Sequence, residues 1–332
     1  MSAMTKTERV MAALRGEPVD HVPVSLWGHN YLKEWTPDGL AEAMLDFHRK
    51  YDWDYMKVNP RASYHVEDWG AKYEPTGDPH RAPVFVGGPI KAVRDWNNLW
   101  VLDPHKGVLG EHLKALESIR DGLAGNAPWL QTVFSPLGVA KYLVGNNMDI
   151  VRAHMREDAN SVHYGLSVIA RTFAEYATRC LELGASGIFF ATTGWASSDA
   201  LGEEDYVLFG KKYDLEVLEA VRDRGTFNVL HNCGQNIFFN LLSYYPVHAI
   251  SWAATLPGNP RLKDALALTD KALMGGISEK TTLRSGTPAQ VATEAREALR
   301  QTNGIRFLLA PGCSIPTTCP EANLWAVKTA IL

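Results

Sequence analysis

The sequence predicts an α/β fold: a single (β/α)8 TIM barrel over residues 1–332, with an N-terminal helix and a long inserted loop after strand 2. Three observations carry this reading. Short apolar runs alternate with stretches of helical spacing, which calls for a parallel sheet. Eight such units can be counted, the number that closes a barrel. No Ser-rich or charged linker and no low-complexity segment divides the chain. The same alternation also allows an open doubly wound sheet.

The first helix is expected over Thr7–Arg15, from the spacing of Val10, Met11 and Leu14, and Gly16-Glu17-Pro18 ends it. Val22–Trp27 reads as the first strand. Thr36 caps a helix with Pro37 at its first position and Leu40, Ala43, Met44 and Phe47 on its apolar face. Tyr55–Val58 is the second strand, closed by Asn59-Pro60. Residues 60–106 are irregular and rich in Trp, Pro, Gly and His; a loop of this length is usually functional or a lid. Val84-Phe85-Val86 suits a hairpin within it. Beyond it follow a helix (Leu109–Leu123), a strand (Leu130–Phe134) and one or two long helices (Ile150–Leu183). Gly187–Phe190 is a strand, and Glu203–Arg224 is helical with a break near Gly210. Phe227–Leu230 is a buried strand, after which Asn236 is expected to cap a helix over Ile237–Tyr245. The rest alternates strand His248–Trp252, helix Pro260–Leu268, strand Ala272–Gly276, helix Pro288–Gln301, strand Arg306–Ala310 and helix Pro320–Ile331.

Composition narrows the function classes. The chain is 46% hydrophobic and 21% charged, ordinary globular values. A net charge of -4 gives no reason to expect nucleic acid or an anionic membrane as partner. Four unevenly placed cysteines do not form a disulfide framework and fit a reducing compartment. Met1–Glu17 has no apolar core of a secretory signal, and no apolar run approaches membrane-spanning length. The expectation is a cytoplasmic protein with no membrane partner.

The chemistry concentrates in Val229-Leu230-His231-Asn232-Cys233-Gly234. At strand period, His231 and Cys233 point to one side, and an imidazole beside a soft thiolate makes half of a zinc site. Phe307–Ala310 is a second apolar run that ends in the same way, at Cys313. Three protein ligands and one open position are what a catalytic zinc site shows, whereas a fourth ligand from Cys319 would close it into a structural one. Pro320-Glu321 marks Cys319 instead as a helix-cap position. Without metal, His231 would be a core histidine and Cys233 and Cys313 small buried residues. Cys180, in a helix, reads as inert core.

Further candidates line the expected rim. Glu67 and Asp68, beside His65 in the long loop, offer a fourth ligand or a general base; the alternative is a solvated loop with aromatic anchors. His29 and Asn30 follow the first strand and could contact substrate. Thr193, Trp195, Trp252 and Ser278 follow later strands, where a barrel gathers its binding residues.

Arg9-Val10-Met11-x-x-Leu14-x-Gly16-Glu17-Pro18-x-Asp20-x-Val22-Pro23-Val24 resembles the opening of the uroporphyrinogen decarboxylase superfamily. Ala310-Pro311-Gly312-Cys313-x-Ile315-Pro316, followed by Pro320-Glu321-x-Asn323, resembles its closing segment. The resemblance covers nearly the whole chain and implies a (β/α)8 barrel. Decarboxylases of the family grip substrate propionates with Arg-Gln-Ala-Gly-Arg before Tyr-Leu-Pro-Glu-Tyr. Here Gly28-His29-Asn30-Tyr31-Leu32-Lys33-Glu34-Trp35 keeps the second half and lacks both arginines.

The His-x-Cys…Cys arrangement is similar to that of the methylcobamide:coenzyme M methyltransferase branch. That likeness implies Zn2+ on His231, Cys233 and Cys313, a methylcorrinoid co-substrate and a thiol or other small methyl acceptor. The Asp-x-His-x-x-Gly of a corrinoid module is absent, so the corrinoid would be free or on a separate protein. Family members include homodimers. A carboxy-lyase acting on a non-porphyrin acid and a non-catalytic corrinoid or tetrapyrrole binder are the alternatives.

Overall fold

In the computed structural model, which describes residues 3–331, Thr5 opens α1 (Lys6–Arg15) through a capping box with Glu8, and Gly16 ends it at φ 72°. The Thr36 side chain and Pro37 start α2 (Pro37–Tyr51), as their spacing predicts. Then follow β1 (Met56–Val58), the long loop with β2 (Lys72–Glu74) and β3 (Val84–Gly87), α3 (Gly107–Leu123) and β4 (Trp129–Phe134). Helices α4 (Pro136–Leu143), α5 (Met148–Glu157) and α6 (Ala159–Glu182) lead to β5 (Gly187–Ala191). Two short helices, α7 (Glu203–Tyr206) and α8 (Lys212–Glu219), precede β6 (Val229–Asn232). The chain closes with α9 (Phe239–Leu242), β7 (Ala249–Trp252), α10 (Leu262–Ala265), β8 (Ala272–Ile277), α11 (Thr282–Ser285), α12 (Pro288–Thr302), β9 (Phe307–Pro311) and α13 (Glu321–Thr329).

Seven strands form one curled parallel sheet in the order β1-β4-β5-β6-β7-β8-β9, a TIM-barrel-like arrangement. The expected first strand, Val22–Trp27, is not a regular strand. Pro23 has no N–H to give, and the Val24 N–H goes to the Asp54 carboxylate (2.9 Å) instead of a neighbouring carbonyl. The segment still bridges the two edges of the sheet. Leu309 N–H donates to Pro23 and Ser25 N–H to Leu309 on one side, while Asp54 N–H donates to Val24 on the other.

Period-two alternation sorts the side chains into two cores. Val10 of α1 packs inside the curl with Tyr55, Leu130, Phe189, Val229, Ala249, Met274 and Leu308. The alternate strand residues, such as Val58, Leu230, Ile250 and Leu309, pack outward against the helices.

Other expectations shift for local reasons. Residues 150–183 divide at Asp158, whose carboxylate accepts the Asn160 and Ser161 N–H groups and so starts α6. Helix α4 was not foreseen, although Ser135-Pro136 is a start signal and the Ser135 side chain accepts the Gly138 N–H. The Val84–Val86 hairpin exists, with Lys72–Glu74 as its partner. Asn236 does not cap a helix over Ile237–Tyr245. It sits at φ 53°, its amide donates to Asp199 (2.8 Å), and α9 is a single turn.

The break near Gly210 is a π-helical turn over Val207–Lys211. Beside it, buried Asp214 accepts from the hydroxyls of Tyr206 (2.6 Å) and Tyr245 (2.9 Å). Burial pushes its carboxyl up to about 7. A carboxyl raised in the fold stabilises it below the unfolded value, near 3.9, and that contribution is lost as pH rises toward 7. Unfolding titrations should therefore show stability falling between about pH 4 and pH 7, and the fall should be smaller in Asp214→Asn. Equal slopes in the two proteins would mean that Asp214 is already ionised in the fold.

Candidate metal centre

His231 lies on β6 with its side chain inside the curl, opposite Ser251 of β7 in register. Its Nδ1 is 3.1 Å from Ser251 Oγ, and its ring stacks on Phe189 at 5.0 Å. A donor Nδ1–H on Ser251 leaves the Nε2 lone pair facing the sulfurs, the tautomer a metal ligand needs. Nε2 is 2.9 Å from Cys233 Sγ, and Cys233 Sγ is 3.3 Å from Cys313 Sγ. The three ligand atoms lie within 4.8 Å of one another.

The loops that carry the sulfurs are held by their neighbours. The Asn232 amide donates to Ala196 and Cys233 carbonyls, and Gly234 turns away at φ 89°. A Cβ at Gly312 would come within 2.8 Å of Ala253 and 2.9 Å of Glu279 Oε2, so only glycine lets the Cys313 loop pack there. The hydrogen bond from Cys233 holds the Cys313 thiol well below its usual range, and the same bond, with burial, pushes Cys233 up.

Two charged residues beside the trio were missed from sequence. Glu279, 3% exposed and just past β8, faces Cys313 and His231, and burial pushes its carboxyl up. It adjoins Ser278, which was singled out. Lys57 of β1, 5% exposed, points inside the curl near Cys313 and Cys233. A lysine within the apolar run Tyr55-Met56-Lys57-Val58 was the available signal.

The remaining candidates have other partners. Glu67 binds Arg61 through both oxygens (2.8 and 2.9 Å) and accepts from Ser63 Oγ, so it is committed to an ion pair. Asp68 accepts the Val108 and Leu109 N–H groups at the start of α3 and so anchors that helix. His65 Nε2 accepts the Phe134 N–H, and burial lowers its pKa to about 3.

Trp252 is not on the rim. Strand alternation turns it outward, where it meets Phe239 and donates to the Pro260 carbonyl. Trp195 is likewise sealed in the outer core. Ser278 gives its N–H to Glu294 and shares a bond with Thr281. Thr193, at φ 53°, accepts from Lys141 at its carbonyl, and its hydroxyl is buried without a partner.

His29 pairs with Glu34 (2.9 Å), while Asn30 accepts the Lys33 N–H. Both line a cleft of about 280 Å³ with Met44, Phe47, Ile315 and Cys319. Cys319 belongs to that cleft and not to the trio, and burial pushes its thiol up to about 11. Cys180 is fully buried and its thiol is pushed up further still.

Fold and site together define a TIM-barrel-like protein with a soft nitrogen–sulfur ligand trio at the C-terminal ends of its strands. The chain belongs to the uroporphyrinogen decarboxylase family, whose model matches residues 5–331. It is 24% identical over 339 residues to a methylcobamide:CoM methyltransferase, MtbA, of Methanosarcina acetivorans, covering 98% of this chain and 96% of that one. It is also 24% identical over 357 residues to the methylcobamide:CoM methyltransferase MtaA of Methanosarcina barkeri, covering 99% and 98%. A solved methyltransferase structure from Methanosarcina mazei superposes with a TM-score of 0.85 at 24% identity and 98% coverage of both chains. Among the described residues no helix is long and apolar enough to cross a membrane.

Proposed function

We propose that this chain is a zinc-dependent methyltransferase that moves a methyl group between a corrinoid and a thiol or other small acceptor. The observation that carries the reading is the convergence of His231, Cys233 and Cys313 from two distant strands onto one point. The donor set fits zinc: one imidazole nitrogen and two thiols, with Ser251 behind the histidine. The names of the curated relatives support the same chemistry. The wider reading is one (β/α)8 barrel domain over residues 1–332, cytoplasmic, with a free corrinoid or a separate corrinoid protein as donor and a homodimer as assembly.

Zinc on these three residues would supply a position where an added thiol stays deprotonated at neutral pH. The chain's own groups do the rest. Ser251 fixes the His231 tautomer, and Phe189 fixes its plane. Glu279 places a carboxylate beside the trio, suited to relay to solvent the proton that an arriving thiol gives up. His29 and Asn30 line a cleft whose wall includes Ile315, two residues past Cys313, and are suited to meet the acceptor.

The test is direct. Adding 2-mercaptoethanol to the zinc-loaded protein should release about one proton per chain at neutral pH, because a free thiol with a pKa of about 8.5 is mostly protonated. X-ray absorption should count one more sulfur around zinc, and methylcobalamin should lose its methyl group to the thiol. A sulfur count that does not change would mark a closed structural site and end the proposal. Uroporphyrinogen should give no coproporphyrinogen, since Gly28–Asn30 carries no arginine and Arg61 is committed to Glu67.

A further inference from the structure

Lys57 is a buried cation whose hydrogen bond goes to an amide, the Asn59 side-chain oxygen, and not to a carboxylate. Its ammonium lies 4.9 Å from the centroid of Phe189, the ring that stacks on His231, and 5.8 Å from that of Trp27. Asn59 also accepts from Ser314 Oγ at 3.2 Å, which ties the lysine to the loop of Cys313. The Asn59 amide nitrogen is buried without a partner. Burial drives the Lys57 pKa down to about 8, against the pull of Cys313, then Cys233, then Glu34. A desolvated ammonium is costly unless negative charge stands nearby, and here the groups whose negative charge bears on it most are Cys313 and Cys233, candidate metal ligands.

A charge count gives that placement a meaning. It rests on the zinc reading above. A neutral His231, two thiolates and a divalent cation sum to zero. A neutral fourth ligand leaves the sum unchanged, whereas a thiolate makes the buried centre singly negative. Lys57 restores neutrality only in the second case. The other charged groups facing the trio do not take this role. Lys141 of α4 faces Cys233 but is held on the Thr193 carbonyl, and Glu279 opposes it from the Cys313 side.

We propose that Lys57 is a specificity-determining residue of this centre: its fixed charge offsets the negative charge brought by an anionic sulfur, so thiolates are favoured over neutral ligands. The acceptor class is then a thiol bound as its anion. Calorimetric titration of the zinc-loaded full chain with 2-mercaptoethanol and, separately, with imidazole tests this. Both probes have uncharged tails, so they differ in the charge delivered to the metal.

Lys57→Met should keep about one zinc per chain and weaken 2-mercaptoethanol on the order of a hundredfold, the scale of one charge pair several ångströms apart in a partly buried site. Imidazole affinity should stay within about twofold, because no charge is delivered with it. Lys57→Arg should retain the thiol preference. Asn59→Asp, which leaves Lys57 in place but puts a carboxylate on its ammonium, should lose thiol affinity in the same direction. An unchanged thiol-to-imidazole ratio in Lys57→Met would overturn the proposal. If that variant does not fold, the same result in Asn59→Asp would do so. Equal loss of both probes would mean general damage to the site and would also overturn it. Absence of zinc from the wild-type protein would instead remove the function reading, and metal analysis shows that before any variant is made.

Discussion

Cys233→Ala and Cys313→Ala should each lose most of the zinc and, with it, methyl transfer. Wild-type protein purified without chelator should carry about one zinc per chain. Structural zinc in a full thiolate–imidazole set is bound by about 10–16 kcal/mol. Removing one of only three protein ligands takes away a large part of that and leaves a two-ligand site that cannot compete with buffer. The two remaining cysteines serve as internal controls. Cys180 is sealed in α6, and Cys319 lines the neighbouring cleft outside the trio, so Cys180→Ala and Cys319→Ala should keep the metal. Metal analysis of the four variants decides the matter. Loss of zinc in Cys319→Ala but not in Cys313→Ala would place the site elsewhere.

The second large effect is expected far from the metal. Asp54 is 1% exposed and accepts from the Arg9 guanidinium at 2.7 Å and from Val24 N–H at 2.9 Å. Arg9 in turn holds Asp20 through two bonds, 2.6 and 2.8 Å. The network binds α1 to the segment that joins the two edges of the sheet. Asp54→Ala would leave a buried guanidinium half-paired and a backbone N–H without an acceptor. Breaking a buried pair from one side typically costs about 3–5 kcal/mol. Denaturant unfolding should show a loss of that size, and Arg9→Ala with Asp54→Ala should cost less than the sum of the two. A loss below about 1 kcal/mol would mean that water takes over the bonds of Asp54. Despite burial, which pushes the other way, hydrogen bonds and nearby cations hold the Asp54 carboxyl below its usual range. Its contribution is therefore present at neutral pH and lost only as pH falls into the acid range.

Much of this architecture is legible in local signals. Strong start and stop residues gave α1 and α12 to within a residue, and the start of α2 at Pro37. The apolar runs from Leu130 onward gave the strands, because each is short and buried on both faces. The trio was legible because strand period puts His231 and Cys233 on one side and because Cys313 ends a similar run. Tertiary context decided the rest. Val22–Trp27 has the composition of a strand, but Pro23 and Asp54 take its bonds elsewhere. Trp252 and Trp195 follow strands, yet alternation and packing turn them into the outer core, and no local residue says so. Glu67 and Asp68 look free in a polar loop. Their partners, Arg61 and the start of α3, are fixed only when the loop docks.

The two halves of the trio are separated by the whole of strands β7, β8 and β9 and of helices α9, α10, α11 and α12. A chain still emerging from the ribosome exposes His231 and Cys233 long before it exposes Cys313. Until β9 docks between β8 and the Pro23–Ser25 segment, it can offer a metal only two ligands on an unfinished surface, which hold it weakly. On the zinc reading, metal capture would be a late event in biosynthesis. Bound zinc would then report that the last strand has found its place, and an interrupted product would leave the cell's zinc pool untouched.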